Sequence, residues 1–379
     1  MPSSNQNPNL RARPANAAPP RPRRKRKKKK RGGILLPFFL ILLGIGILSS
    51  AWFFLTPSGS NLRYMLADTL ITTQHREWAK YIIGKDELDK RVADYLNQFE
   101  EMGKVKEKPE LVKPNKGTTT AAGKKPKDAV TIEPIEGKGF KGQLLTIRDP
   151  KMLRLVVTQN PNKGETVSSM VKRTGAIAGV NAGGFHDPEW KGNGFQPEGI
   201  VISNGKLIYN DGNMNSSFHI VGIDKEGRLV AGRFKVSEIM QMNIQEGVSF
   251  PSKFIANGKG LIKSQKEGWG IAPRTSMAQT ADGTILFAII DGRQTHSLGA
   301  SLYDIQQIFL SRGAITAANL DGGSSSVLVH NNKIVNKPSS EYGERYLPTA
   351  WLVFDDPAKV NVKNIWAGLD PSKIDPSKW

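Results

Sequence analysis

Four short clusters between residues 181 and 326 carry carboxylate, guanidinium or amide side chains, three of them with glycine, which lets a backbone close around a polar ligand. The first is Asn181-Ala182-Gly183-Gly184-Phe185, directly after the apolar run Ala176 to Val180. Asn181 can donate and accept at once, although a tight turn explains the segment equally well when it is read alone. The second, Pro273-Arg274-Thr275, puts a guanidinium at the start of a hairpin, and the third, Asp291-Gly292-Arg293, ends the apolar run Ile285 to Ile290 with His296 close behind. The fourth is Asn319-Leu320-Asp321-Gly322-Gly323-Ser324-Ser325-Ser326, between two predicted strands. Asp321 falls at a strand tip there, followed by amides and hydroxyls suited to phosphate or sugar oxygens. An ordinary Asp-Gly turn accounts for either aspartate taken singly.

Several chemistries are excluded or weakened. The fourth cluster has no Lys after its glycines, as a P-loop needs, and no G-x-S-x-G elbow. The absence of cysteine removes disulfides and thiolate catalysis. The five histidines (His75, His186, His219, His296 and His330) are scattered without ligand spacing, so a two-metal hydrolase is disfavoured. No cofactor or metal is called for, and an Asp-based cation site stays open.

These clusters need a scaffold, which the sequence places at residues 130–356. Short β-rich runs are predicted at Gln143 to Ile147, Leu153 to Thr158, Ala176 to Val180, Gly199 to Ile202 and Phe218 to Ile223. Others follow at Ile285 to Ile290, Ile315 to Asn319, Val327 to His330 and Ala350 to Phe354. Turns at 203–206, 224–227 and 281–284 fit hairpins. Helices are expected over Thr166 to Arg173 and Ser301 to Arg312, the latter with Ser301 and Asp304 as a capping-box-like start and Gly313 past its end. The mixture predicts an α+β fold with a central, mostly antiparallel sheet and flanking helices.

Upstream, the charge of +20 is concentrated at one end: residues 1–33 carry twelve Lys and Arg and no acid, leaving about +8 elsewhere. Ile34 to Leu55 is uncharged and long enough to cross a bilayer, so the basic run reads as a cytoplasmic tail before a single membrane anchor, not as a nucleic-acid site. A cleaved signal peptide is the competing reading. Residues 56–103 have helical spacing with a break near Gly84 and read as an exposed stalk that could also self-associate. Residues 104–129, rich in Lys, Pro, Thr and Gly, read as a linker, and 357–379 as a C-terminal tail.

Taken in order, Asn181 to Phe185, Gly199 to Gly205, Arg274-Thr275, Asp291-Gly292, the Ser301 helix and Leu320 to Ser324 resemble the phosphodiester glycosidase family over roughly Ile177 to Phe354, with Arg345 before the last strand. The resemblance implies hydrolysis of a sugar linked through its anomeric carbon to phosphate. Such a reaction needs a carboxylate near the anomeric carbon and a cation for the phosphate, and the residues offer Asp321 (nucleophile or base), Asp291 (second carboxylate, positioner) and Arg274 for these roles. Substrate contacts are expected from Asn181, Gly183, Gly184, Phe185, Arg293, Asn319, Gly322, Gly323, Ser324, Ser325 and Arg345. Arg274 and Arg345 are the expected phosphate clamp. The expected substrate is an anionic cell-surface or extracellular glycopolymer, met by a domain held outside the membrane, as on a Gram-positive cell. A non-catalytic scaffold for such a polymer is the alternative, and a transferase using the same site is a third reading.

Overall fold

The computed structural model describes residues 35–73, 75–114, 129–188, 192–251, 253–341 and 343–377. The basic tail and most of the Lys/Pro-rich segment lie outside the described residues. The contacts divide the chain into two units, residues 1–56 and residues 57–379. The first unit contributes one described helix, α1 (Leu35–Leu55), whose stretch Leu36–Leu55 is apolar and long enough to cross a membrane.

In the second unit, three sheets hold the core, and every strand pair among the described residues is antiparallel. A seven-stranded sheet runs Val130–Gly137, Phe140–Ile147, Ile285–Ile290, Arg274–Thr280, Ala314–Asn319, Lys253–Ala256, Lys259–Gly260. One five-stranded sheet runs Lys333–Ile334, Leu328–His330, Ala178–Asn181, Thr349–Val353, Leu153–Val157. The other runs Lys206–Asn210, Ile200–Ser203, Ile244–Ser249, Ser217–Asp224, Leu229–Lys235. Alternate residues of all three converge on one cluster, with Phe287 and Met277 from the first sheet, Trp351 and Val180 from the second, and Val201 and Val248 from the third. The expected α+β class with antiparallel strands holds, built as three sheets around a shared core in place of one central sheet.

The predicted hairpins form where the glycines fall. Asn204 and Gly205 both take positive φ between Ser203 and Lys206, as a two-residue turn requires. The helix Leu302–Ser311 begins with Ser301 accepting from the Asp304 N–H while Asp304 accepts from the Ser301 N–H, a complete capping box. It buries Leu302, Ile305 and Phe309 against the seven-stranded sheet.

Residues 57–104 do not stand clear of the domain as a stalk. Helices α2 (Pro57–Ile71), α3 (Lys80–Ile83) and α4 (Lys85–Lys104) join the second unit, with Gly84 at φ 84° making the predicted break. Phe99 and Met102 of α4 are buried with Ile135, Phe140 and Trp269, and each such side chain contributes on the order of 2 kcal/mol. The helical spacing was legible; the partner for its apolar face was 170 residues away, at Trp269. The described start of the linker is pinned as well: Lys253, with its side chain fully buried, donates to the Val105 carbonyl at 2.5 Å and lies 3.8 Å from Glu107. The C-terminal segment also packs back, since Trp366 is buried and its indole N–H donates to the Phe195 carbonyl at 3.1 Å.

Candidate active site

A cleft of about 230 Å³ opens where the ends of these sheets meet. Asp321 lies just past the strand Ala314–Asn319, and its backbone is fixed from two sides. Its N–H donates to the Ala182 carbonyl at 3.0 Å, and its carbonyl accepts from the Asn181 amide at 2.5 Å. The Asn181 amide oxygen in turn accepts from the Thr275 hydroxyl and the Val327 N–H. Asn181 is therefore fully engaged, buried under the cleft floor, and does not line the cleft. Gly183 likewise sits behind it, with its N–H on the Thr349 hydroxyl.

The Asp321 carboxyl faces the cleft, and its buried Oδ2 has no hydrogen-bond partner among the described residues. Burial is the main cause that pushes its pKa up to about 7, with the charges of Glu198 and Asp187 adding to the effect; the Ser325 hydroxyl and Arg345 oppose it. Glu198 lines the same cleft and is also raised, by desolvation first and then by Asp211 and Asp187, against His186. Gly184 makes room for it: a side chain at 184 would meet Glu198 Oε2 at 2.9 Å. Phe185 and Phe250 complete this carboxylate side.

Cations occupy the other side. Arg274 is buried and donates to two neutral carbonyls, those of Ala300 (3.2 Å) and Trp269 (3.0 Å), so its charge is placed but not neutralised. Burial and the nearby Arg293 lower its pKa to about 10, which leaves it charged at neutral pH. Arg345 instead stands beside the carboxylates, held by Asp187 at 2.8 Å and the Ser324 hydroxyl at 3.2 Å, with its guanidinium over the Phe185 ring. Arg293 takes a left-handed backbone at φ 56°, unusual for a residue with a Cβ. Its guanidinium sits 3.7 Å from where a side chain on Gly323 would begin, and Gly323 itself has φ 59°. Among the described residues no hydrogen bond or ion pair engages that guanidinium. Asn319, Gly322, Gly323, Ser324 and Ser325 line the cleft between the two sides.

Asp291 has a different placement from the expected one. Its carboxylate accepts from the Asn336 amide (3.1 Å) and the Lys337 N–H (2.9 Å) and lies 2.9 Å from His296 Nε2, outside the cleft lining. The residues that sequence reasoning missed are Asp187, Glu198, Phe250, Pro251, Ala272 and, far upstream, Thr72, Thr73 and Tyr95. Asp187 and Glu198 flank the bridge between Phe185 and Pro197, so carboxylates just beyond the Gly-Gly-Phe turn were the available signal. No group of three or more His, Asp or Glu among the described residues could hold a metal ion.

The buried carboxyl, the second one beside it, the cations and the glycine-rich floor all fall within residues 174–354, which match the model of the phosphodiester glycosidase family. The chain is 28% identical over 200 residues to the SPbeta prophage-derived uncharacterized protein YomE of Bacillus subtilis, covering 51% of this chain and 30% of that protein. It is 25% identical over 239 residues to mouse N-acetylglucosamine-1-phosphodiester alpha-N-acetylglucosaminidase, covering 55% of this chain and 43% of that protein. The chain thus spans less than half the length of these relatives. In fold it is similar to the zebrafish N-acetylglucosamine-1-phosphodiester alpha-N-acetylglucosaminidase catalytic domain, auto-inhibited by pro-peptide, at a TM-score of 0.50 and 23% identity over 60% of this chain and 82% of that one.

Proposed function

We propose that this chain hydrolyses the glycosidic bond of a sugar-1-phosphodiester within a cell-surface or extracellular glycopolymer, with α1 holding the domain at the membrane. The single observation that carries the reading is the polarity of the cleft: Asp321 and Glu198 on one side, Arg274 and the unengaged Arg293 on the other. Cleavage between an anomeric carbon and a phosphate oxygen builds positive charge on the sugar and leaves negative charge on the phosphate. A cleft charged in the opposite sense at each end stabilises both, provided its groups are fixed beforehand.

Arg293 and Arg345 then receive the phosphate oxygens, and Arg274 supplies fixed positive potential behind them. The Asp321 carboxylate acts at the anomeric carbon, as nucleophile or as base toward water. Its raised pKa keeps it basic enough to take a proton at neutral pH. Glu198, raised in the same cleft, adds its charge to the upward shift of Asp321, so the titrations of the two are coupled. A phosphate monoester leaves readily, and no strong acid is needed on that side. Asp291 falls outside this mechanism.

The test is direct. The full chain in detergent is incubated with a panel of sugar-1-phosphodiesters and anionic wall polymers, and the products are identified. Free reducing sugar together with a phosphate monoester is expected. Tight polymer binding with no released sugar would replace hydrolysis by a scaffold role.

A further inference from the structure

The cleft has a wall that the family-matched residues 174–354 do not supply, made by Thr72, Thr73 and Tyr95. Tyr95 belongs to α4, and Thr72 and Thr73 directly follow α2; both helices dock on the segment just before the cleft. The Trp269 indole N–H donates to Gln98 Oε1 at 2.5 Å, and the Tyr95 ring meets the Trp269 ring edge-on at 4.8 Å. The Ile271 N–H donates to the Thr69 hydroxyl at 3.1 Å, and Gly270 lies so close to α2 that a Cβ there would meet the Thr69 N at 2.4 Å. Ala272, Pro273 and Arg274, the next residues, line the cleft.

This docking puts the added wall at the cationic end. Trp269, against which Tyr95 packs, is the residue whose carbonyl receives Arg274. Glu198, Phe250 and Gly184 are grouped at the other, carboxylate end. Resting on the hydrolytic reading above, with phosphate at the cations and the anomeric carbon at the carboxylates, whatever else is esterified to the phosphate must leave the cleft past the helices.

We infer that Thr72, Thr73 and Tyr95 form a subsite for the alcohol on the far side of the phosphate, and that this alcohol is hydroxylated, a sugar or polyol unit. Its chemistry follows from the wall. The Thr72 hydroxyl donates to the Thr69 carbonyl (3.0 Å), leaving oxygen lone pairs able to accept from a ligand hydroxyl; the Thr73 hydroxyl donates to Leu70 (2.8 Å) and accepts from the His75 N–H (3.1 Å), so it offers less. The Tyr95 ring adds an aromatic surface of the kind on which a sugar can pack. An alkyl chain would find hydroxyls where it needs apolar contacts.

The experiment compares three esters of N-acetylglucosamine 1-phosphate, with methanol, glycerol and octanol, as substrates of the full chain in detergent. The glyceryl ester should exceed the methyl ester about ten-fold in kcat/KM, the effect of one or two polar contacts. That ratio should fall toward one in Thr72→Val, mainly through KM, with circular dichroism and thermal melting confirming the fold. Tyr95→Ala would add loss of the ring, and Thr72→Val keeps the test valid if that variant does not fold. An unchanged ratio in the variants, or preference for the octyl ester, overturns the subsite. Equal acceleration on all three esters overturns it too, by showing that the helices only cover the cleft. If the unaltered chain releases no sugar, the hydrolytic reading fails on its own; calorimetric binding of the glyceryl ester, weakened about ten-fold by Thr72→Val or not, still decides the subsite.

Discussion

Asp321 and Asp291 invite the same reading from sequence. Each precedes a glycine, and each follows a buried strand of the seven-stranded sheet, the two strands flanking Arg274–Thr280. Their surroundings differ in one respect that matters. Asp291 has its oxygens met by Asn336, Lys337 and His296, and nothing is left for a substrate. Asp321 keeps one oxygen buried and unmet, beside a second carboxyl, at the floor of a cleft. A fully satisfied buried carboxylate ties loops together; an unsatisfied one is held at a cost that the fold must offset elsewhere, which is the mark expected of a working group.

The largest effect should come from exchanging the two aspartates' fates. Asp321→Asn should lower kcat by at least about 10³-fold with the fold retained, since the amide neither attacks nor accepts a proton. Asp291→Ala should do the reverse, costing about 2–4 kcal/mol of stability in denaturant unfolding while the folded fraction keeps turning over, because three donors lose their acceptor. Near-normal turnover in the first variant, or an inactive but stable second one, would invert the assignment.

Next in size is Arg293. Arg293→Ala should reduce kcat/KM about 10²-fold and barely alter stability, since no hydrogen bond or ion pair engages it among the described residues. Arg274→Ala should destabilise the domain besides reducing activity, because it frees the Ala300 and Trp269 carbonyls. Equal stability losses in both would erase the distinction between a substrate-facing and a tethered guanidinium.

A smaller effect tests the environment of Asp321 itself. Its folded pKa of about 7 lies above the ordinary value of 3.8, so folding favours the protonated form. Its contribution to stability is full below about pH 4, declines as pH rises toward 7 and is absent above. Thermal melts of Asp321→Asn and the unaltered chain should coincide near pH 4 and separate by several degrees near pH 8, with the variant the more stable. Activity, which needs the ionised carboxylate, should fall on the acid side with an apparent pKa near 7 belonging to the Asp321–Glu198 pair.

Legibility followed the range of the interactions. Hairpins at 203–206 and 281–284 and the Ser301 cap were readable because a few adjacent residues determine them. The cleft-lining Arg274, Arg293, Asp321 and Gly322 to Ser325 were readable because glycine, charge and strand end coincide locally. Strands Leu229–Lys235 and Ile244–Ser249 escaped notice, since glycine and charge interrupt their alternation and only the sheet supplies their partners. Glu198 was missed because a single Pro-Glu-Gly looks like any turn until Gly184 lies beneath it. The docking of α4 on Trp269 was invisible for the same reason: amphipathic spacing reveals an apolar face without revealing what covers it.

Which bond breaks is the most direct question to put to the cleft. Hydrolysis of a sugar-1-phosphodiester by the full chain in ¹⁸O-labelled water, followed by mass spectrometry of both products, answers it. With Asp321 acting at the anomeric carbon, the label appears on the released sugar and none enters the phosphate monoester. Label in the phosphate would mean attack at phosphorus and would contradict the opposed arrangement of carboxyls and guanidinium groups as the basis of this chemistry.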